Sequence, residues 1–188
     1  MNPGKGKYHT VVVTPTVYVG AVDSAKNLFL WTEIPGACAP RGTSLLRHMT
    51  VIDFADTGAD FQLYFAQTKD ADTSVTGALG ATSSLADMTD AEVRTVKLLH
   101  YHKLDYSDVS SDNMYDFASG RIMSYGTQLG SSSDSKLSGI PMWSHEATQA
   151  QIDAGLANPG SIYVAAKCAS SQTFTAADNL KIAFTFES

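Results

Sequence analysis

The chain has few charged residues and no long hydrophobic run. Only 17% of its 188 residues are charged, and 13 basic against 19 acidic residues give a formal net charge of -6. Binding to phosphate groups requires a clustered basic surface, so we predict neither a nucleic acid nor an anionic membrane as a partner. No stretch approaches the roughly 18 apolar residues that a membrane-spanning helix needs.

Cysteine is also scarce, since Cys38 and Cys168 are the only two. The N-terminal segment contains lysines, but the apolar run that follows is short and is interrupted by Thr14, Pro15 and Thr16. This is not the pattern of a signal peptide. Two distant thiols in a chain without such a signal are typical of reduced cysteines in the cytosol, so we expect no disulfide.

Recognisable catalytic motifs are missing as well. The serine-rich stretches contain no Gly-x-Ser-x-Gly sequence, which holds a nucleophilic serine in a strained turn. The glycines at 77 and 80 are not followed by the Lys-Ser/Thr pair of a phosphate-binding loop. We therefore predict that the protein is not an enzyme and has no catalytic residue and no cofactor.

What the sequence does contain is alternation of apolar and polar residues. Near its end, Leu180, Ile182 and Phe184 fall on one face of an extended chain, while Lys181 and Thr185 fall on the other. A period of two is typical of a half-buried β-strand. Because similar runs recur from residue 9 onward, the predicted fold class is all-β, with an antiparallel β-sandwich as the architecture.

The alternating runs also predict individual elements. Pro15 lies within the first run, so that run should form an edge strand or two short strands. Two hairpins are predicted, one from 45–54 and 61–65 and one from 114–117 and 122–125. The predicted strands cover residues 9–19, 28–31, 45–54, 61–65, 95–106, 114–117, 122–125, 161–168 and 179–187.

One or two short helices interrupt this pattern. The sequence from Thr89 to Glu92 matches a capping box, which predicts a helix start at this position. A second helix is predicted from Ser144 to the stop at Pro159. We interpret residues 1–8 as an N-terminal arm and 9–188 as a single domain, with an insertion at about 130–160.

His100 and His102 are the strongest candidates for site chemistry. A His-x-His pair on a strand points both imidazoles to one side, as the metal-binding jelly rolls of the cupin class require. The cupin pattern also needs a nearby glutamate, and none follows until Glu146. We therefore predict no metal site and keep a cupin-like site at these two histidines as an alternative hypothesis.

A carbohydrate-binding β-sandwich is a third hypothesis, because aromatic residues recur in the second half of the chain. Such residues more often pack in cores or at oligomer interfaces. The aromatic residues concerned are Tyr101, Tyr106, Tyr115, Tyr125 and Trp143.

The order of elements resembles the jelly-roll decoration, or cement, proteins of tailed-bacteriophage capsids. The resemblance spans most of the chain, except for residues 1–8 and 130–160. It is a pattern of spacing and residue character rather than a catalytic signature. It comprises Glu33-Ile34-Pro35, the strand 45–53, the strand 61–65, the acidic helix around 90–92, and the ending from 161–165 through 174–180.

This resemblance implies a jelly-roll virion protein, made in the host cytoplasm, that binds the outer surface of the capsid. Its partner would be the major capsid protein, whose subunits it bridges, and self-association as a trimer is also implied. Another virion β-domain, associated with a tail or fibre, is the alternative within this class. From their positions in the arm and the insertion, we expect the contact residues to be Lys5, Lys7, Tyr8, Pro141 and Trp143.

Overall fold

The computed structural model describes residues 7–58, 60–69, 75–82, 85, 88–106, 114–126 and 139–188. Two helices lie within these ranges, α1 (Asp90–Val96) and α2 (Gln149–Asp153). The strands are β1 (Tyr8–Val13), β2 (Gly20–Val22), β3 (Asn27–Ile34), β4 (Thr43–Asp53), β5 (Phe61–Ala66), β6 (Leu98–Leu104), β7 (Met114–Phe117), β8 (Gly120–Gly126), β9 (Ile140–Trp143), β10 (Ile162–Cys168), β11 (Gln172–Phe174) and β12 (Leu180–Glu187).

Ten of these strands form two antiparallel sheets. One has six strands in the order β1-β12-β4-β8-β7, with β9 paired to the first residues of β4. The other has four strands in the order β3-β10-β5-β6, and β11 pairs with β2 separately. The chain crosses from one sheet to the other between β3 and β4, β4 and β5, β6 and β7, and β9 and β10, whereas β5-β6 and β7-β8-β9 each stay within one sheet. The prediction of an all-β, antiparallel sandwich with two short helices is therefore confirmed.

The hydrophobic core lies between the two sheets. Leu180, Ile182, Phe184 and Phe186 of β12 are all fully buried, as their alternation predicts. The rings of Phe184 and Phe65 meet edge to face at 5.9 Å between centroids and so join one sheet to the other. Burying each such side chain contributes about 1.5 to 3 kcal/mol, which makes this layer the main source of stability.

The predicted hairpin of β4 with β5 is wrong, because the two strands belong to different sheets. The loop between them begins at the fully buried Asp53. The carboxylate of Asp53 accepts hydrogen bonds from the backbone N–H of Ala55 at 2.9 Å and from both the N–H and hydroxyl of Thr57 at 2.8 and 2.7 Å. These bonds fix a corner that carries the chain across the core. The second predicted hairpin, β7 with β8, is confirmed.

Helix α1 begins where the sequence predicts. The hydroxyl of Thr89 accepts from the Glu92 N–H while the Glu92 carboxylate accepts from the Thr89 N–H, which completes the capping box. Lys97, in the left-handed conformation at φ 55°, ends the helix and directs the chain into β6.

Helix α2 is shorter than predicted. It begins at a second capping box, formed by Thr148 and Gln151, and not at Ser144. Ser144 is instead buried and donates its N–H to the carbonyl of Gly42 and its hydroxyl to the carbonyl of Ala39. These bonds hold residues 144–148 against the loop before β4, which overrides the local helical pattern.

The structure describes only part of the predicted arm and insertion. Tyr8 belongs to β1, and Lys7 and Ser188 exchange backbone hydrogen bonds of 3.1 and 3.0 Å, so the sheet already includes the end of the predicted arm. Residues 1–6, which include Lys5, lie outside the described residues. Within the predicted insertion, β9 is an integral strand of the six-stranded sheet, while residues 127–138 also lie outside the described part of the chain.

The outer surface of the four-stranded sheet is covered by the chain itself. Buried side chains of this surface are Tyr64, Ala66 and Ala165. The side chains that pack over them are those of Val75, Leu85, Met88 and Val96. We call this surface the covered face.

Candidate protein-binding face of the six-stranded sheet

The outer surface of the six-stranded sheet, in contrast, carries no second layer of described residues. We call this surface the open face. Its side chains alternate with the buried core residues of the same strands, so the strand period places them on one side. The strand pairing arranges them in four rows: Pro141-Leu45-Glu187-Tyr8, then His48-Thr185-Thr10, then Ser124-Thr50-Ala183-Val12, and finally Tyr115-Ile122-Ile52-Lys181.

The open face is nearly free of net charge. Glu187 accepts a hydrogen bond of 2.5 Å from Nε of Arg47, so these two charges neutralise each other. Lys181 is the remaining charged residue of the four rows, and its ammonium group lies 5.4 Å from the centre of the Phe54 ring. Binding to a protein requires the removal of water from the contact surface, which costs least where charges are few.

A groove of about 530 Å³ lies at one end of the open face. The residues that line it include Leu45, Pro141, Trp143 and Glu187. The indole N–H of Trp143 donates to the carboxylate of Glu146 at 3.0 Å, which fixes the orientation of the ring. The groove therefore has a rigid aromatic wall, a feature common where proteins contact each other.

Three of the five predicted contact residues belong to the open face. Tyr8 is 63% exposed, Pro141 is also exposed, and Trp143 is half-buried. Tyr8 and Pro141, which the sequence assigns to a separate arm and insertion, occupy one row of the sheet. Lys7 lies next to this row through its pairing with Ser188.

Sequence reasoning missed the centre of this face. Thr50 and Ala183 are opposite each other on β4 and β12 and lie in the middle of the sheet. Their small side chains resemble those of any solvent-facing strand position, so nothing in the sequence distinguishes them. The sequence does indicate an outward-facing side of β12, because Lys181, Thr185 and Glu187 alternate with the core residues.

His100 and His102 lie on β6 and point to the same side, as predicted. This side faces the space between the sheets, because His100 is opposite Phe65 and His102 is opposite the core residue Leu63. The two rings are 6.0 Å apart and nearly parallel. His102 is only 7% exposed, and its Nε2 has no hydrogen-bond partner.

Burial controls the protonation of this pair. It lowers the pKa of His102 to about 4, with the neighbouring His100 as the second cause, and it also lowers the pKa of His100. In the described part of the chain, no third His, Cys, Asp or Glu completes a metal-ligand set with them. Both histidines thus favour the neutral form inside the sandwich.

The aromatic residues of the carbohydrate hypothesis do not form one cluster. Tyr101 lies on the outer side of the four-stranded sheet, whereas Tyr115 lies on the open face. Tyr125 is buried, and Tyr106 lies under the guanidinium group of Arg121 at 4.5 Å. A sugar ring could therefore stack on one of these residues but not on the set.

Both cysteines are buried and free. Burial raises the pKa of the Cys168 thiol to about 11 and also raises the pKa of Cys38. The side-chain amide of Gln172 donates to Cys168 Sγ at 2.7 Å, and Ser44 lies 3.3 Å from Cys38 Sγ. These contacts are typical of structural thiols that react slowly.

Within the described residues, neither helix has the length and apolar character needed to cross a bilayer. Comparisons of the chain with protein-family models, curated proteins and solved structures found no match.

Proposed function

We propose that this protein is a structural component of a phage virion that binds the outer surface of the capsid and bridges major capsid protein subunits. The resemblance to jelly-roll decoration proteins motivates this proposal. The observation that carries it is the open face, a broad, nearly neutral sheet surface beside a groove with a rigid tryptophan.

The composition of the open face supports a protein as the partner. Its two central rows consist of Thr, Ser, Ala and Val residues and His48, and the outer rows add Tyr8 and Tyr115. Tyr8, Val12 and Tyr115 are each more than 60% exposed. Interface cores are depleted in charge and enriched in aromatic residues. A sheet surface is also rigid, so docking orders few side chains and requires little conformational entropy.

The repeated arrangement of subunits in a capsid adds to this argument. A contact of modest affinity, repeated at every equivalent position of a shell, stabilises the whole particle. A protein that contacts two neighbouring subunits at once binds more tightly still. Once the first contact has formed, the second forms within the same complex and so at a high effective concentration. The jelly roll supplies the rigid body that such a bridge requires.

Co-sedimentation with expanded, undecorated shells of the corresponding major capsid protein tests the proposal. We expect saturable binding at a fixed ratio to the shell subunit. Ala183→Arg places a large charge in the centre of the open face and should weaken binding at least about tenfold. The matched control is Ala91→Arg, at an exposed position of α1 on the other side of the sandwich.

Equal binding by the wild-type protein and Ala183→Arg would refute the open face as the docking surface. Failure of the wild-type protein to bind any expanded shell would refute the capsid function itself. The same samples should be analysed for metal, since one transition metal per chain that is lost in a variant lacking both His100 and His102 would favour the cupin-like alternative.

A further inference from the structure

Strand β1 forms an edge of the six-stranded sheet, and its outer backbone groups have no partner among the described residues. Lys7 exchanges backbone hydrogen bonds with Ser188. Because hydrogen-bonded pairs alternate in an antiparallel ladder, the backbone N–H and C=O groups of His9, Val11 and Val13 point toward β12. The N–H and C=O groups of Tyr8, Thr10 and Val12 consequently point away from the sheet. An exposed edge of this kind is a template for another strand.

Other edges in the described sheets carry a feature that hinders such pairing. At the opposite edge of the six-stranded sheet, β7 is only four residues long and contains Asp116. Strand β9 contains Pro141, which lacks a backbone N–H, and β6 contains Lys103. The edge of β3 is covered at its first residue, because Asn27 bonds with Gly80 and Ala81 through its carbonyl and N–H. Proline, lysine and covering loops are the usual means by which proteins protect strand edges.

Strand β1 has none of these features in the part of the chain that the structure describes. Its sequence, Tyr-His-Thr-Val-Val-Val, contains no lysine, proline or acidic residue and pairs with β12 without a bulge. Two of its outward side chains are also hydrophobic and strongly exposed, Tyr8 at 63% and Val12 at 61%. An uncharged strand can approach an identical strand without repulsion between like charges.

We propose that β1 pairs antiparallel with β1 of a second copy of this chain around a two-fold axis at Thr10. The free backbone groups define the register, because Thr10 then faces Thr10 of the copy and Tyr8 faces its Val12. All three residues complete their outer hydrogen bonds, and each exposed Tyr8 ring covers an exposed Val12. The result is one continuous sheet across two molecules, with a self-complementary contact.

This contact is a dimer contact and not the trimer that the family resemblance implies. One edge strand accepts one partner strand, and antiparallel pairing of identical strands is two-fold symmetric. Because six residues a side make a small interface, we expect reversible, concentration-dependent association. The inference goes beyond the proposed function, and its tests use the isolated protein without shells.

Analytical ultracentrifugation over a range of concentrations, with matched variants, tests the proposal. Thr10→Lys places two ammonium groups directly opposite each other across the two-fold axis and should weaken dimerisation at least about tenfold. Thr185→Lys is the control, because Thr10 and Thr185 share a hydrogen bond of 2.9 Å that both variants lose equally. Thr185 lies one strand further inward, so this variant should still dimerise.

Cross-linking provides a second measurement, which does not depend on a variant that weakens dimerisation or stability. In the proposed register, the two Thr10 Cα atoms are about 5.5 Å apart, within the range that a disulfide spans. Thr10→Cys should therefore form a covalent dimer on mild oxidation. Thr185→Cys should not, since its copy lies three strand spacings away, about 14 Å. The native cysteines are buried and should not interfere.

Four results would overturn the proposal. The first is a wild-type protein that stays monomeric at all concentrations, and the second is a dimer that persists in Thr10→Lys. The third is equal cross-linking of the two cysteine variants. The fourth is protection of the β1 amides from hydrogen exchange that appears only after shells are added, which would assign the edge to a strand of the shell protein instead.

Discussion

The outer surfaces of the two sheets differ in one decisive way. The four-stranded sheet buries Tyr64 and Ala165 under Leu85 and Met88, whereas the six-stranded sheet leaves Thr50 and Ala183 without a covering layer of described residues. Both surfaces belong to the same sandwich and use similar small and aromatic side chains. The comparison indicates that the covered face serves stability, while the open face is available to a partner.

The strongest test of this difference makes the same substitution on both faces. Ala165→Arg forces a guanidinium group into a fully buried site beside Tyr64 and Leu85, so we expect a loss of more than about 3 kcal/mol of unfolding free energy, or no folding. Ala183→Arg on the open face should change stability by only about 0.5 kcal/mol. Urea unfolding measures both values.

Similar losses in the two variants would contradict the division into covered and open faces. A stable Ala165→Arg protein would show that the side chains over the four-stranded sheet are easily displaced. A strongly destabilised Ala183→Arg protein would show that the open face is packed against another part of the chain.

A second prediction concerns the interior of the sandwich, between the two faces. Lowering the pH should reduce the unfolding free energy through the buried His102. The pKa of His102 is about 4 in the folded protein and about 6.5 in an unfolded chain. The unfolded chain therefore binds more protons between these values, and stability falls as the pH is lowered from 6.5 to 4. The loss amounts to at most about 3 kcal/mol, while the contribution is complete above pH 6.5.

Unfolding free energies measured from pH 7.5 to 4 check this prediction. His102→Leu should reduce the pH dependence in that window, and the rest should come from His100 and His48, whose pKa values burial also lowers. Identical pH profiles for the wild-type protein and His102→Leu would show that the buried imidazole is not the acid-sensitive group.

A third prediction uses the two capping boxes, one of which belongs to a helix that packs on the covered face. Thr89→Ala removes the cap of α1 and should cost about 1 kcal/mol, because α1 buries Val96 against the covered face. Thr148→Ala removes the equivalent cap of α2, which has no buried residue, and should cost less. Thermal unfolding of the two variants measures the difference, and a larger effect at Thr148 would contradict it.

The smallest effect is expected at the charged pair of the open face. Arg47 and Glu187 are both partly exposed, so solvent screens their attraction. Glu187→Gln should reduce stability by less than about 1 kcal/mol. Chemical denaturation at low and high salt checks this, and a larger loss would mean that the pair is shielded from solvent.

The architecture was predictable because burial imposes a period of two on each strand. Leu180 to Phe186 alternate in the sequence and in the structure, and the capping box at Thr89 marks the start of α1. Which strands pair with each other was harder to predict from the sequence. The corner at Asp53 looks like a hairpin turn in the sequence, and only the path of the chain across the core shows that β4 and β5 separate.

The candidate site was only partly predictable, since it is a product of strand order. Tyr8 and Pro141 are 133 positions apart in the sequence and become members of one row only because β12 and β4 lie between their strands. No local pattern records that arrangement. His100 and His102 show the opposite case, because the spacing predicts their common side but not that this side faces the core.

Oxidative footprinting of tyrosines, with and without expanded shells, tests the central claim most directly. Tyr8 and Tyr115 are 63% and 66% exposed at opposite corners of the open face, and Tyr101 is 43% exposed on the other sheet. Our account predicts that shells protect Tyr8 and Tyr115 from oxidation and leave Tyr101 as reactive as in the free protein. Protection of Tyr101 alone, with Tyr8 and Tyr115 unchanged, would contradict the assignment of docking to the open face.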